Sequence, residues 1–287
     1  MRRWTGILLV VVSAAAFGSL GILGRYAYAD GLDAVTLLFL RFAIASLLMV
    51  LLLLARRERL PRRADLLRLV GMGALGYVGQ SYCYLTAVRY ASPGLVALLL
   101  YLYPVIVALL SVAFLHERLT RLKLVALGLA LLGTALTVSP EGGQLAGILL
   151  ALAAAGIYSV YIVVGTGVMR RVTATQSSTV IFASAGATFG LLTAAGGPHW
   201  PHSAAGWFTI LLIVLVPTLI AVVAFLAGLA RVGPTNASML STLEPVVTVL
   251  LAAGLLGERL QPLSLLGGVL ILAAVLILAR QELRNAH

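Results

Sequence analysis

Apolar residues run along this chain in ten long stretches separated by short polar turns, at 4–24, 33–54, 66–88, 92–114, 121–139, 145–168, 174–195, 206–230, 234–256 and 262–280. A membrane-crossing helix needs about 17–25 mainly apolar residues, and every stretch has that length. The turns are as short as antiparallel helix neighbours require. Ser92-Pro93-Gly94 and Gly233-Pro234-Thr235 open the fourth and ninth stretches, putting proline in a first helical turn, where its missing donor is harmless. The pattern predicts an all-α integral membrane protein of ten transmembrane helices.

The second half of the pattern repeats the first. Pro93, Pro104, Glu117, Arg118 and Leu119 recur as Pro234, Pro245, Glu258, Arg259 and Leu260, a constant offset of 141 residues without a gap. At the same offset Gly6-Ile7-Leu8-Leu9 returns as Gly147-Ile148-Leu149-Leu150. Five spans per half is an odd number, so the second half must enter the bilayer from the opposite side. The expectation is a 5+5 inverted-topology repeat, residues 1–140 and 141–287, within a single membrane domain. Such repeats build transporters with a site at the midplane.

Composition narrows the class further. The 287 residues are 61% hydrophobic and only 10% charged, with a mean hydropathy of +1.08, which no soluble domain of this length can bury. The net charge of +11 does not point to nucleic acid, because the cations are spread over short loops, where they set orientation. One set of alternate loops holds sixteen of them, from Arg2 and Arg3 through Arg56, Arg118, Lys123, Arg170, Arg231 and Arg284, and the other set only Arg25, Arg89 and Arg259. Both termini are therefore expected in the cytoplasm. Met1-Arg2-Arg3 before an apolar run, with Ala14-Ala15-Ala16 within it, has the look of a signal peptide. Its repeat partner at Leu145 to Val168 makes it a structural unit instead. Cations that are nearly all arginine, beside abundant Ala, Leu and Gly, suggest a bacterial chain and hence a bacterial inner membrane.

Polar residues inside apolar stretches carry the chemistry. Glu244 lies about ten residues into the ninth stretch, where a charge costs about 2.5–3.5 kcal/mol on insertion scales. It must face a cavity or a partner, or be protonated. It reads either as a substrate-amine partner or proton-coupling group, or as a neutral carboxyl bonded between helices. Pro104, Pro217 and Pro245 each remove a backbone donor mid-span and mark kinks, serving as gates or as fixed curvature. Tyr77, Gln80, Ser81 and Tyr84 fall at i, i+3, i+4 and i+7, one helix face. With Tyr101, Tyr103, Tyr158 and Tyr161 they form either a substrate-binding lining or a packed helix contact. Tyr26, Tyr28 and Trp4 read as interface anchors, and Arg41 as structural, snorkelling, pairing with an acid or binding a helix-end carbonyl. Cys83 is the one cysteine, so no intrachain disulfide is available. No catalytic constellation, metal-ligand cluster or nucleotide loop occurs in the sequence, which argues against an enzyme and against any cofactor.

The doubled element of proline-led helix, internal proline and terminal Glu-Arg-Leu, with Phe39-Leu40-Arg41-Phe42-Ala43 and with Ala16-Phe17-Gly18 followed by Arg25, resembles the drug/metabolite transporter superfamily in its ten-helix EamA-type branch. The resemblance covers essentially the whole chain. It implies a five-plus-five inverted repeat, export of small metabolites, and a central cavity between spans 1, 3, 4, 6, 8 and 9. The tyrosines look most like those of exporters of aromatic and neutral amino acids. The expected function is a secondary transporter working by alternating access, with an amino acid or similar amphipathic metabolite and the lipid bilayer as its partners. Nothing in the pattern requires an oligomer. The alternatives are another cargo, a cationic drug or a lipid-linked sugar, or a non-transporting receptor or assembly subunit.

Overall fold

The computed structural model of the protein describes residues 2–137, 142–257 and 260–284, and the regular structure among them is helical, apart from one isolated bridge between Ala91 and Gly143. The expected boundary at 140/141 and the second Glu-Arg pair, Glu258-Arg259, lie outside the described residues. Helices α1 (Arg2–Gly18) and α2 (Leu20–Ala29) form one rod; α3 spans Ala34–Ala55. A third rod joins α4 (Arg63–Gly71) to α5 (Val78–Ala87) through a π-helical turn at Met72–Tyr77. Next come α6 (Pro93–Leu100) with α7 (Tyr103–Leu115), then α8 (Arg121–Thr137), α9 (Leu145–Met169) and α10 (Ala174–Gly196). Helices α11 (Ala204–Val214) and α12 (Ala221–Val232) are joined by a second π-helical turn, Leu215–Ile220. Helices α13 (Pro234–Leu240) and α14 (Glu244–Leu256) meet at a 3₁₀ turn, Ser241–Leu243, and α15 (Pro262–Arg284) follows.

Eight of these rods are long and apolar enough to cross a membrane. Two expected spans are not among these eight. The third opens on the charged Arg63, Asp65 and Arg68 and carries the polar Gln80, Ser81 and Thr86 further along, and α8 runs over 17 residues up to residue 137, where the described stretch ends. The starts follow from local chemistry. Asp33 accepts from the backbone of Val35 and Thr36 at 3.3 and 3.1 Å, Ser92 caps α6 ahead of Pro93, and Thr173 closes a capping box with Gln176. Each satisfies donors that a helix terminus otherwise leaves open. The irregularities recur between halves. The α6–α7 break at Tyr101-Leu102 corresponds, 141 residues on, to the 3₁₀ turn in the ninth rod. The left-handed cap His116 at φ 56° corresponds to Gly257 at φ 68°.

The packing interlocks the two halves. Helix α1 lies against α12, α13 and α14 of the second half, and α9 lies against α5, α6 and α7 of the first. Helix α3 pairs with α10, and α8 with α15, their own counterparts at the 141-residue offset. Exchanging the halves reproduces this pattern. The α8–α15 crossing is a backbone-to-backbone contact. A Cβ on Gly133 would lie 2.6 Å from the Gly267 carbonyl oxygen, and one on Gly267 would clash in turn with the carbonyl oxygen of Gly133. Small residues allow such approach where lipid supplies no hydrophobic drive between helices.

Two outcomes are expected. Gly133→Val forces these backbones apart and lowers stability by about 1–3 kcal/mol, the usual cost of overpacking, read as a fall in thermal midpoint in detergent; an unchanged midpoint would count against the close crossing. The second concerns the loop carboxylate Asp30. The hydroxyl of Ser203 at 2.6 Å, with the backbone N–H groups of Ser203 and His202, holds the Asp30 carboxyl below the usual carboxylate range. A lowered folded-state value contributes stability above the unfolded-state pKa and loses it as pH falls through the folded one. Thermal midpoints measured from pH 7 downward should drop below about pH 4, and Asp30→Asn should show a smaller drop and a lower starting value.

Candidate functional site

The rods converge on a chain of aromatic rings. Phe42 of α3 stands 4.9 Å from Tyr77, and Tyr77 5.9 Å from Tyr161 of α9. Tyr161 lies 6.0 Å from Tyr158, Tyr158 4.9 Å from Tyr103 of α7, and Tyr103 6.3 Å from Tyr101. Edge-to-face and offset ring pairs at such distances are favourable. Tyr103 donates to the Ser238 carbonyl of α13 at 3.2 Å, and the Ser159 hydroxyl of α9 donates to the Tyr103 carbonyl at 3.2 Å. Three rods from both halves are thereby tied at one level.

Glu244 begins α14, immediately after the 3₁₀ turn. Pro245 has no N–H for the Ser241 carbonyl four residues back, and the backbone N–H of Glu244 fills that place. Helix α1 presses on this point from the other side. The Thr248 hydroxyl donates to the Gly18 carbonyl at 3.0 Å, and a Cβ at Gly18 would lie 2.9 Å from the Glu244 carbonyl oxygen. The Glu244 side chain is within electrostatic reach of Arg41, Tyr77, Tyr84, Tyr101, Tyr103 and Tyr158. Glu244, Tyr77, Tyr84, Tyr101 and Tyr158 are half-buried, and Tyr103 and Tyr161, 3% and 5% exposed, are buried.

Of the residues singled out in the sequence, the five tyrosines 77, 101, 103, 158 and 161 come together in the ring chain. Gln80 and Ser81 are adjacent on α5, the buried Ser81 hydroxyl donating to Gln80 Oε1 at 3.4 Å. Tyr84 packs on a separate small cluster of Ala87, Ala91, Val96 and Ala151. Pro104 and Pro245 occupy first helical turns just after breaks, and Pro217 sits inside the second π turn. Tyr26, Tyr28 and Trp4 are exposed.

Arg41 has a more definite place than its sequence suggested. The carbonyl of Ile213, deprived of its usual donor by Pro217, accepts the Thr218 hydroxyl at 2.7 Å. Arg41 then donates through Nε to Thr218 Oγ1 at 2.7 Å and through a terminal nitrogen to the Pro217 carbonyl at 2.9 Å. Its guanidinium carbon also lies 5.0 Å from the Phe42 ring centre. The 4% exposed arginine thus links α3 to the distorted turn of the eighth rod. Ser159 and Ser238 also went unremarked in the sequence, since a lone serine in an apolar run carries no periodic signal. Among the described residues no group of three His, Cys, Asp or Glu is placed to hold a metal ion.

The sequence profile of the EamA-like transporter family matches residues 4–139 and again residues 145–280. The chain belongs to the EamA-like transporter family. It is a membrane transporter of the drug/metabolite type and not an enzyme. An uncharacterised transporter of Archaeoglobus fulgidus is 29% identical over 278 residues, spanning 96% of this chain and 97% of its own. A probable terminal-alkyne amino-acid exporter of Streptantibioticus cattleyicolor is 27% identical over 285 residues, spanning 98% and 94%. A crystal structure with 22% sequence identity superposes with a TM-score of 0.83 over 97% of this chain and 99% of that one, showing the same fold. The double match of the EamA-like profile has the 141-residue spacing of the internal repeat.

A charged hydrogen bond contributes about 1.5–3 kcal/mol, so Arg41→Met is expected to cost at least about 2 kcal/mol, read as a lower thermal midpoint. Arg41→Lys should restore little, because a single ammonium does not span both acceptors as a planar fork does. A wild-type midpoint in both variants would overturn this role.

Proposed function

We propose that this EamA-like transporter exports amino acids, aromatic and neutral ones foremost, across a bacterial inner membrane. The carrying observation is Glu244, a half-buried carboxylate within electrostatic reach of Tyr77, Tyr84, Tyr101 and Tyr158, with the buried Arg41 the cation nearest in the same interior. A carboxylate offers an ammonium its partner, and phenol rings accept apolar or aromatic bodies through their faces and hydrogen bonds through their hydroxyls. The amino-acid exporter among its relatives supports the same cargo class.

In this reading all ten rods cross the bilayer as a 5+5 inverted repeat, residues 1–140 and 141–287, with the termini on the cytoplasmic side, where sixteen of the cations would lie. The interlocked packing suggests which bodies move. The unit of α4–α7 with α9 would rock against the unit of α1 with α12–α14, around Glu244 and the tyrosines. The breaks beside Pro104 and Pro245 and the π turn at Pro217 would serve as bending points.

Counterflow into liposomes of purified protein is the test, using labelled L-phenylalanine, L-tyrosine and L-leucine with and without a proton gradient. Uptake of all three is expected, with Glu244→Gln and Tyr101→Ala each lowering it about tenfold or more, as loss of one charge-assisted bond would. Uptake of an organic cation alone, abolished by Glu244→Gln, would favour a drug cargo. Wild-type rates in both variants would overturn the site, and no amino-acid uptake by folded protein would overturn the cargo.

A further inference from the structure

Two cavities open side by side at the end of the molecule that gathers the arginine-rich loops, and Arg3 and Arg231 stand in the wall of both. The larger, of about 660 Å³, lies between the ends of α9 and α12 and the starts of α1 and α10. Apart from the two arginines and Thr173 its lining is apolar, with Met169 and Val172 at the end of α9 and Leu226, Ala227 and Ala230 along α12. The smaller, of about 390 Å³, is drawn from the ends of α7, α9, α12 and α15 and the starts of α8 and α13.

The chemistry of the smaller cavity is the opposite. Arg3, Arg118, Lys123, Arg170 and Arg231 stand in its wall, and among the described residues the only carboxylate there is Glu117. Glu117 is already engaged. It accepts Lys123 Nζ at 2.7 Å through one oxygen and the Thr235 hydroxyl at 2.8 Å through the other. The lysine and the carboxylate cancel, and the charge left on the wall is that of four exposed arginine side chains. Like charges gathered against low-dielectric protein repel, and an anion relieves that repulsion. The planar fork of a guanidinium fits a phosphate in particular. Arg231 donates to the Ala227 carbonyl one turn back. Because Ala227 lines the apolar cavity, this bond holds the cationic head at the junction of the two.

We propose that the two cavities form one site for an anionic phospholipid, its phosphate among the arginines and an acyl chain along the apolar lining. A soluble anion would use the basic cavity alone. An apolar cavity joined to it through Arg3 and Arg231 suits a ligand with an anionic head and a hydrocarbon body, and basic pockets between helices at a membrane surface hold lipid headgroups of that kind. The site is independent of the cargo, since Glu244 and the tyrosines line neither cavity. Arg118 and Arg170 follow α7 and α9, which pack on each other, while Arg3 and Arg231 belong to α1 and α12, which pack likewise. One headgroup therefore bridges two packed pairs and holds this end together. A zwitterionic lipid carries its own cation and gains less from the same wall.

The experiment is the thermal midpoint of the full-length protein in detergent, freed of lipid and titrated with dioleoylphosphatidylglycerol. A saturable rise is expected, as for any ligand that binds only the folded state. Dioleoylphosphatidylcholine, with the same chains, and inorganic phosphate, with the charge alone, should each bind at least about tenfold more weakly. The surface changes Arg118→Gln and Arg170→Gln should each weaken phosphatidylglycerol about tenfold or more, the loss of one charged hydrogen bond, without lowering the lipid-free midpoint. Ala230→Trp, which fills the apolar cavity, should weaken it as well. Arg89→Gln, which removes an exposed arginine from the opposite end, should leave it at the wild-type value. An equal rise with phosphatidylcholine would reduce the effect to solvation by lipid and overturn the proposal. A rise reproduced by phosphate, or a wild-type response in Ala230→Trp, would leave a soluble-anion site and overturn the lipid. A wild-type response in both Arg118→Gln and Arg170→Gln, or an equal loss in Arg89→Gln, would overturn the site.

Discussion

Hydrocarbon offers a backbone no hydrogen bonds, so wherever a helix breaks inside an apolar rod the protein itself must bond the groups set free. The interior of this transporter is organised by that constraint. Pro217 releases the Ile213 carbonyl; Thr218 takes it, and Arg41 reaches across from α3 to bind Thr218 and the Pro217 carbonyl together. Pro245 releases the Ser241 carbonyl, and the 3₁₀ geometry at Ser241–Leu243 hands it to the Glu244 N–H. That local repair sets where the α14 helix begins and therefore where the Glu244 carboxylate is held.

Further bonds run between rods and join the halves. Tyr103 of the first half bonds Ser238 of the second, and Ser159 of the second bonds Tyr103 in return. The first helix of each half lies in the bundle of the other. This arrangement ties the two halves together, because separating them would strip α1 from α12–α14 and α9 from α5–α7.

Both ends of the molecule are tied between rods. At one, Ser92 donates to the Gly142 carbonyl and Gln144 to the Tyr90 carbonyl through their backbones, and the Asp30 carboxylate accepts from the Ser203 hydroxyl and from the backbone N–H groups of His202 and Ser203. The other uses side chains, with Glu117, Lys123 and Thr235 in one cluster and Asp65 forked by Arg171 in another.

Hydropathy and a 141-residue offset were enough to reveal the membrane class, the apolar rods and the repeat, because the length of an apolar run acts locally along the chain. The same pattern pointed to Glu244 and the tyrosines, since a polar residue in hydrocarbon is conspicuous by its cost. How deep each of those tyrosines lies was decided by packing: Tyr77 and Tyr101 are half-buried while Tyr103 and Tyr161 are buried. Nor could periodicity announce the π turns, which shift the faces of the third and eighth rods, or the grip of Arg41 on a carbonyl 176 residues away. Sequence by itself determined what had to be buried in the membrane and how often the motif recurs; only the tertiary structure decided which buried polar groups meet, because those meetings depend on distances between helices that no single helix encodes.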